Sequence, residues 1–203
     1  MERFIIVIIL VVSFIILESF CFVGNSISNE AWSDDQPRFL QGVEILTGFG
    51  RGELTGKKDY HLVPIMIGFD FNLKLLTQKI GFNPPSLIQF QIEPFLSLVT
   101  NPDNNMEVGT SFLLKVGLLP EDWRFQPYVK SGLGMIYMSQ HTLDQNTQFN
   151  FLINGGTGFH YFFKKQCALT LEYRFRHASN AGIKQPNGGI DTHSCLLGIA
   201  YLF

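Results

Sequence analysis

The chain has 203 residues, of which 46% are hydrophobic and only 16% charged, and its formal net charge is −2. This length suffices for one domain with a filled core. The weak charge and the lack of the usual nucleic-acid-binding motifs argue against a nucleic-acid partner. The composition is very apolar for a soluble domain, yet past the N-terminus no apolar run is long enough for a membrane helix.

The N-terminus resembles a secretory signal peptide. Residues 4–17 (FIIVIILVVSFIIL) are almost wholly apolar, follow Arg3, and are followed by the small-residue stretch GNSIS. This pattern predicts a signal peptide over residues 1–28, cleaved somewhere between positions 24 and 31, and a single mature domain over residues 29–203. Because Glu2 offsets the charge of Arg3, an uncleaved anchor is the alternative.

The rest of the chain contains eight segments in which apolar residues alternate with polar or small ones. They are approximately 42–50, 60–73, 89–99, 106–118, 125–139, 149–162, 167–177 and 190–203. A period of two predicts β-strands, and each segment reaches the roughly 9–11 residues that a tilted strand needs to cross a bilayer.

The polar face of these strands carries many charges. Its charged members are Glu44, Asp70, Glu93, Glu107, Lys115, Lys130, Glu172, Arg174 and Arg176. A soluble β-domain would turn these charges outward, but the opposite apolar face is too extensive for one small core. The pattern therefore favours an eight-stranded antiparallel transmembrane β-barrel of the bacterial outer membrane, with the charges inside. Such a barrel is only wide enough for its own side chains, so we expect an ionic network and not a pore.

The connections between the segments are rich in turn-forming residues. If the N-terminus is periplasmic, the odd-numbered connections face the cell exterior and should be the longer ones. The second connection, 74–88, is too long for that rule and should hold a short amphipathic element. The chain ends on Phe203 after alternating apolar residues, which is typical of bacterial outer-membrane proteins.

The cysteines indicate no metal site. Cys21 would leave with the signal peptide, and no Cys-x-x-Cys motif or His cluster is present. Cys167 and Cys195 lie on the last two predicted strands, where they could form a disulfide or, as the simpler interpretation, face lipid as two thiols. We expect neither a metal nor a cofactor.

Polar residues of catalytic type occur in the stretch RHASNAGIKQPNGGID, residues 176–191. Odd-numbered residues form the apolar face of both flanking strands, so the same parity places His177, Ser179 and Asp191 on the lipid side. One hairpin joins the two strands, which makes His177 and Asp191 candidate cross-strand neighbours.

Polar groups on the lipid side of a barrel are costly unless they are used. A serine, a histidine and an acid together form a serine-hydrolase set of nucleophile, base and orienting carboxylate. The simpler alternative is a solvated barrel rim, and His193 could compete for Asp191. No Gly-x-Ser-x-Gly elbow occurs, which excludes the α/β-hydrolase arrangement.

This stretch closely resembles the active-site segment of the lipid A 3-O-deacylases, the PagL-type outer-membrane enzymes. The shared run is His-x-Ser-Asn-Ala-Gly, followed by Lys-Gln-Pro-Asn and an acid. The resemblance implies an eight-stranded barrel with a triad on its lipid-facing surface, in which His177 is the base and Ser179 the nucleophile. The oxyanion candidates are Asn180, Gly182 and Asn187. Lys184, with Arg176 nearby, is a candidate for binding the phosphates of lipid A, and a solvated loop cation is the simpler alternative. The family has Glu where this chain has Asp191, which is one methylene shorter.

The expected function is hydrolysis of an ester-linked acyl chain of lipid A, the membrane part of lipopolysaccharide, through an acyl-Ser179 intermediate. The expected partners are this substrate and the surrounding outer-membrane lipids. Two alternatives stay open, namely a phospholipase A with the same triad and a non-catalytic barrel acting as an anchor or adhesin. The sequence also leaves open the acyl position, the chain length, and whether the barrel forms a homodimer.

Overall fold

The computed structural model describes residues 38–54, 58–139, 144 and 147–203, so the predicted signal peptide lies outside the described residues. These residues form eight strands: β1 Leu40–Leu54, β2 Lys58–Asn72, β3 Ser86–Asn101, β4 Asn105–Pro120, β5 Phe125–Met138, β6 Phe149–Phe162, β7 Cys167–Ser179 and β8 Ile190–Leu202. Each predicted segment corresponds to one of them. Consecutive strands pair antiparallel, and β8 pairs with β1, so the sheet is a closed barrel.

The barrel has its charged residues inside and its apolar residues outside, the reverse of a soluble protein, as the alternation of residues predicts. Charged residues of the polar face are buried, from Glu44 and Lys115 at 0% exposure to Arg176 at 6%. Large apolar side chains cover the outside, and Leu133 and Ile153 expose more than half of their surface. An exterior this apolar suits a hydrocarbon environment and not water.

The buried charges form ion pairs across the barrel interior. Lys115 Nζ lies 3.2 Å from Glu44 and 3.1 Å from Asp70, and Lys130 Nζ lies 2.7 Å from Glu172. Nearer to the hairpin that joins β7 and β8, Arg176 Nη1 is 2.7 Å from Glu107. A small cavity beside this network has room for about one water molecule.

The lengths of the connections follow the predicted rule only in part. The fifth and seventh connections, 139–148 and 180–189, are long, and the sixth, 163–166, is a tight turn. The first and third, 55–57 and 102–104, are short, so the prediction of long odd connections is wrong there. The ladder continues further than expected in these hairpins, and an Arg51–Asp59 ion pair of 2.8 Å links the outer ends of β1 and β2.

The second connection contains a short element, as predicted, namely a helix α1 (Lys74–Thr77) followed by a 3-10 turn (Gln78–Ile80). None of its residues is buried, and its amphipathic character stays a prediction. No helix among the described residues is long and apolar enough to span a membrane.

Cys167 and Cys195 do not form a disulfide, because the Cys195 thiol is free and exposed. Cys167 is buried, so the prediction of two lipid-facing thiols is correct for Cys195 only. Cys167 is the first residue of β7 and lies at the tight turn after β6, where its carbonyl accepts hydrogen bonds from the N–H groups of Phe163 and Lys164.

Candidate active site

The candidate site lies on the outside of the barrel at the β7–β8 hairpin. In the ladder His177 pairs with Asp191, and Arg176 pairs with Thr192. Arg176 and Thr192 are buried at 6% and 1% exposure. Because successive side chains of a strand point to opposite faces, His177 and Asp191 lie on the lipid-facing wall, as the parity predicts.

A short hydrogen bond joins the two residues. Nδ1 of His177 is 2.6 Å from Oδ1 of Asp191, and the two side chains are 33% and 60% exposed. A carboxylate accepts hydrogen bonds, so this contact assigns the proton of a neutral imidazole to Nδ1. The second nitrogen, Nε2, is then an unprotonated acceptor, which is the state that a general base needs.

Ser179 is the last residue of β7, two positions beyond His177 on the same face. It is half-buried and lies opposite Phe151 of β6. In the part of the chain that the structure describes, no hydrogen bond joins its hydroxyl to the His177 ring. Catalytic hydrogen bonds are often loose in a substrate-free enzyme and tighten only when the substrate binds.

Asn180 organises the loop that follows Ser179. The residue is fully buried, and its Nδ2 donates to the carbonyl of Lys184 at 2.7 Å. Its Oδ1 accepts the N–H of Gly182 at 3.0 Å. Both the Asn180 amide and the Gly182 N–H are therefore engaged inside the loop, although the sequence made both residues oxyanion candidates. The side chain of Lys184 is exposed.

Asn187 is the oxyanion candidate whose donor group remains available. Its Oδ1 accepts the backbone N–H of Asn180 at 2.9 Å, which holds the amide beside the residue that follows Ser179. Its Nδ2 group makes no hydrogen bond to any residue within the described ranges. This arrangement anchors a side-chain N–H donor at the backbone of the residue next to Ser179 in the chain.

His193 does not compete for Asp191. It lies on the same face, two residues further along β8, but its Nδ1 is 2.6 Å from the hydroxyl of Tyr173. Its ring also packs against Phe175 at a centroid distance of 5.2 Å. The histidine that contacts the acid is therefore His177.

Gly189 contacts the site, although the sequence alone did not single it out. Its φ is +79°, and a Cβ atom at this position would lie 2.5 Å from Cε1 of His177. The backbone of Gly189 therefore lies directly against the imidazole. The only signal in the sequence is a Gly-Gly pair ahead of Asp191, which reads as an ordinary turn.

The described residues contain no group of three or more His, Cys, Asp or Glu side chains that could hold a metal ion. The chemistry that this site offers is that of a hydroxyl, an imidazole, a carboxylate and an amide donor at a lipid-facing surface.

Comparison with known proteins shows the family to which the chain is related. The family model described as lipid A 3-O-deacylase (PagL) matches residues 68–200, which include the whole stretch from His177 to Asp191. No match is found among the curated proteins.

Two solved structures show the same fold. The outer-membrane enzyme PagL has a TM-score of 0.58 and 15% identity, over 76% of this chain and 97% of that chain. Neisserial surface protein A has a TM-score of 0.52 and 12% identity, over 80% and 96% of the two chains. The family match and the barrel fold identify an outer-membrane protein of a Gram-negative bacterium. Because the family model matches well over half of its residues, the chain belongs to the lipid A 3-O-deacylase (PagL) family.

Proposed function

We propose that the protein hydrolyses the ester that links an acyl chain to the 3-O position of lipid A, with Ser179 as nucleophile, His177 as base and Asp191 as orienting acid. The observation that carries this proposal is the 2.6 Å contact between His177 and Asp191 on the lipid-facing wall, with Ser179 on the same face. Family membership supports the choice of substrate.

In the first step, Ser179 Oγ attacks the ester carbonyl carbon while Nε2 of His177 takes the hydroxyl proton. Asp191 keeps the Nδ1–H tautomer in place and stabilises the imidazolium that forms. The negative charge that develops on the carbonyl oxygen needs a donor, and the Nδ2 group of Asn187 is the candidate for that role.

The tetrahedral intermediate then collapses. The bond between the acyl carbon and the sugar oxygen breaks, and the imidazolium returns its proton to that oxygen. The products of this step are lipid A with a free hydroxyl and an acyl-Ser179 ester. A water molecule, activated by His177 in the same way, cleaves this ester and releases the fatty acid.

The position of the site fits a membrane-embedded ester. A soluble esterase would need to extract its substrate from the bilayer, whereas a triad on the barrel wall meets the linkage between the sugar and the acyl chain where it already lies. The apolar side chains next to the site, Phe151 and Ile153 on β6, are 40% and 54% exposed. They offer a hydrocarbon surface beside the reacting bond.

Purified protein in detergent should be incubated separately with lipid A and with phosphatidylethanolamine, and the released fatty acids identified by mass spectrometry. The proposal predicts release of a 3-hydroxy fatty acid from lipid A alone. Release from phosphatidylethanolamine alone would establish the phospholipase alternative. Release from neither substrate by the folded barrel would favour a non-catalytic barrel.

A further inference from the structure

We propose that Gly189 is a positioning residue of this site. Because it has no side chain, the His177 imidazole can lie close enough to β8 for the short carboxylate of Asp191 to hold it. This inference rests on the proposed function, since it gives Gly189 a role in orienting the general base.

The contact between Gly189 and the ring leaves no room for a methyl group. A Cβ on Gly189 would lie 2.5 Å from Cε1, 3.2 Å from Nε2 and 3.4 Å from Nδ1 of His177. Ordinary contacts between carbon atoms begin near 3.5 Å, so the ring would have to withdraw by roughly 1 Å. The alternative is a movement of the backbone at Gly189.

The backbone on both sides of Gly189 is held in place. The N–H of Gly188 donates to the carbonyl of Asp144 at 2.9 Å, which ties the β7–β8 loop to the β5–β6 loop. On the other side, Ile190 is 1% exposed and pairs with Ala178 in the ladder. Because these contacts oppose a backbone shift, an added side chain should displace the ring instead.

Displacement of the ring would affect its hydrogen bond to Asp191, because the side chain of this acid is short. Asp191 reaches Nδ1 at 2.6 Å with the ring in its present position against Gly189. A ring pushed away by roughly 1 Å would lose that hydrogen bond, but a glutamate, with one more methylene, could follow it. Gly189 and Asp191 should therefore behave as a matched pair whose substitutions are coupled.

The test is a double-mutant cycle with Gly189→Ala, Asp191→Glu and the two combined, measuring kcat and KM on lipid A. Gly189→Ala should lower kcat by about 10- to 100-fold with little change in KM, because a misplacement of about 1 Å can cost that much. Asp191→Glu alone should also lower kcat, since the longer side chain is crowded by a ring seated against the glycine. The double variant should recover several-fold over Gly189→Ala.

Gly81→Ala is the matched control. Gly81 has a φ of +77°, close to that of Gly189, but a Cβ there would meet nothing within 4 Å. It lies after the 3-10 turn of the second connection, away from the candidate site. This variant introduces the same backbone strain without touching the imidazole, and it should keep the wild-type kcat.

Three outcomes would overturn the inference. They are a kcat for Gly189→Ala equal to that of Gly81→Ala, losses in the double variant that multiply independently, and a wild-type kcat for Asp191→Glu. Folding of each variant is checked by the heat-dependent gel mobility of the barrel. If Gly189→Ala does not fold, the kcat of Asp191→Glu still decides the question, because that variant leaves Gly189 unchanged. Ser179→Ala is measured alongside, and activity in that variant would refute the proposed function itself.

Discussion

His177 and Asp191 face each other across the β7–β8 ladder, and their side chains meet at 2.6 Å on the lipid-facing wall of the barrel. Each strand alternates between buried and outward residues, and the two outward sets meet at this pair. The acid therefore reaches the imidazole through strand register alone. An enzyme built this way needs no pocket inside the barrel, where ion pairs such as Arg176–Glu107 occupy the space.

Asp191→Asn tests the role of the acid. The amide can donate to Nδ1 and so favours the wrong tautomer of His177. The corresponding change in a serine protease triad lowers kcat by about 10⁴-fold, and we expect a fall of that order with little change in KM. Asp59→Asn, which removes an exposed carboxylate paired with Arg51, is the control and should keep wild-type kinetics. A kcat for Asp191→Asn within tenfold of the wild type would contradict the assigned role.

Asn187→Asp tests the oxyanion donor. The carboxylate can still accept the N–H of Asn180, so the loop should keep its shape, but the Nδ2 donor is replaced by a negative charge. Loss of one oxyanion donor costs about 10²- to 10³-fold in kcat, and we expect at least that. Asn83→Asp, at an exposed position in the second connection, controls for the added charge. Equal kcat values for the two variants would remove Asn187 from the mechanism.

Asn180→Ala tests the loop that supports the site. The variant loses two side-chain hydrogen bonds and leaves the carbonyl of Lys184 without its donor. Each of these hydrogen bonds contributes about 0.5–1.5 kcal/mol net, so the loop should open locally while the barrel stays folded. We expect faster proteolytic cleavage within residues 180–189 and a reduced kcat. Wild-type cleavage and wild-type kcat together would show that this network does not hold the site.

Arg174→Ala tests the interior ion pairs. Arg174 contacts Glu93 at 2.6 Å and Glu172 at 2.5 Å. Its removal leaves Lys130 as the cation that pairs with both acids, while Glu172 also keeps the hydrogen bond from the Tyr128 hydroxyl. Breaking a buried ion pair from one side costs about 3 kcal/mol of unfolding free energy, which urea titration of the barrel would measure. Arg124→Ala, in the exposed turn after β4, should change stability by less than about 0.5 kcal/mol. Equal midpoints for the two variants would contradict this account.

The alternation of apolar and polar residues along the strands predicts most of the fold and also the contact between His177 and Asp191. The burial of Lys115 and the outward position of His177 both follow from the alternation of side chains along a strand. In a closed barrel, every strand points alternate side chains to the interior and to the lipid-facing exterior. The pairing of His177 with Asp191 follows from the same parity, applied to two strands that share one hairpin.

Loop geometry accounts for what the sequence did not predict. The burial of Asn180 and the contact of Gly189 with the imidazole depend on how the 180–189 loop folds back, and no strand period reports that. The burial of Cys167, at the tight turn that precedes β7, likewise does not follow from strand parity. The short first and third connections arise because the ladder continues through polar residues such as Arg51, which look like loop residues in the sequence.

The most direct test of the central claim is mass spectrometry of lipid A from Gram-negative cells that express either the wild type or Ser179→Ala, with equal amounts of folded barrel in the outer membrane. The wild type should remove one hydroxyacyl mass from lipid A, and Ser179→Ala should leave it intact. Unchanged lipid A in both strains, or the same loss in both, would contradict the account.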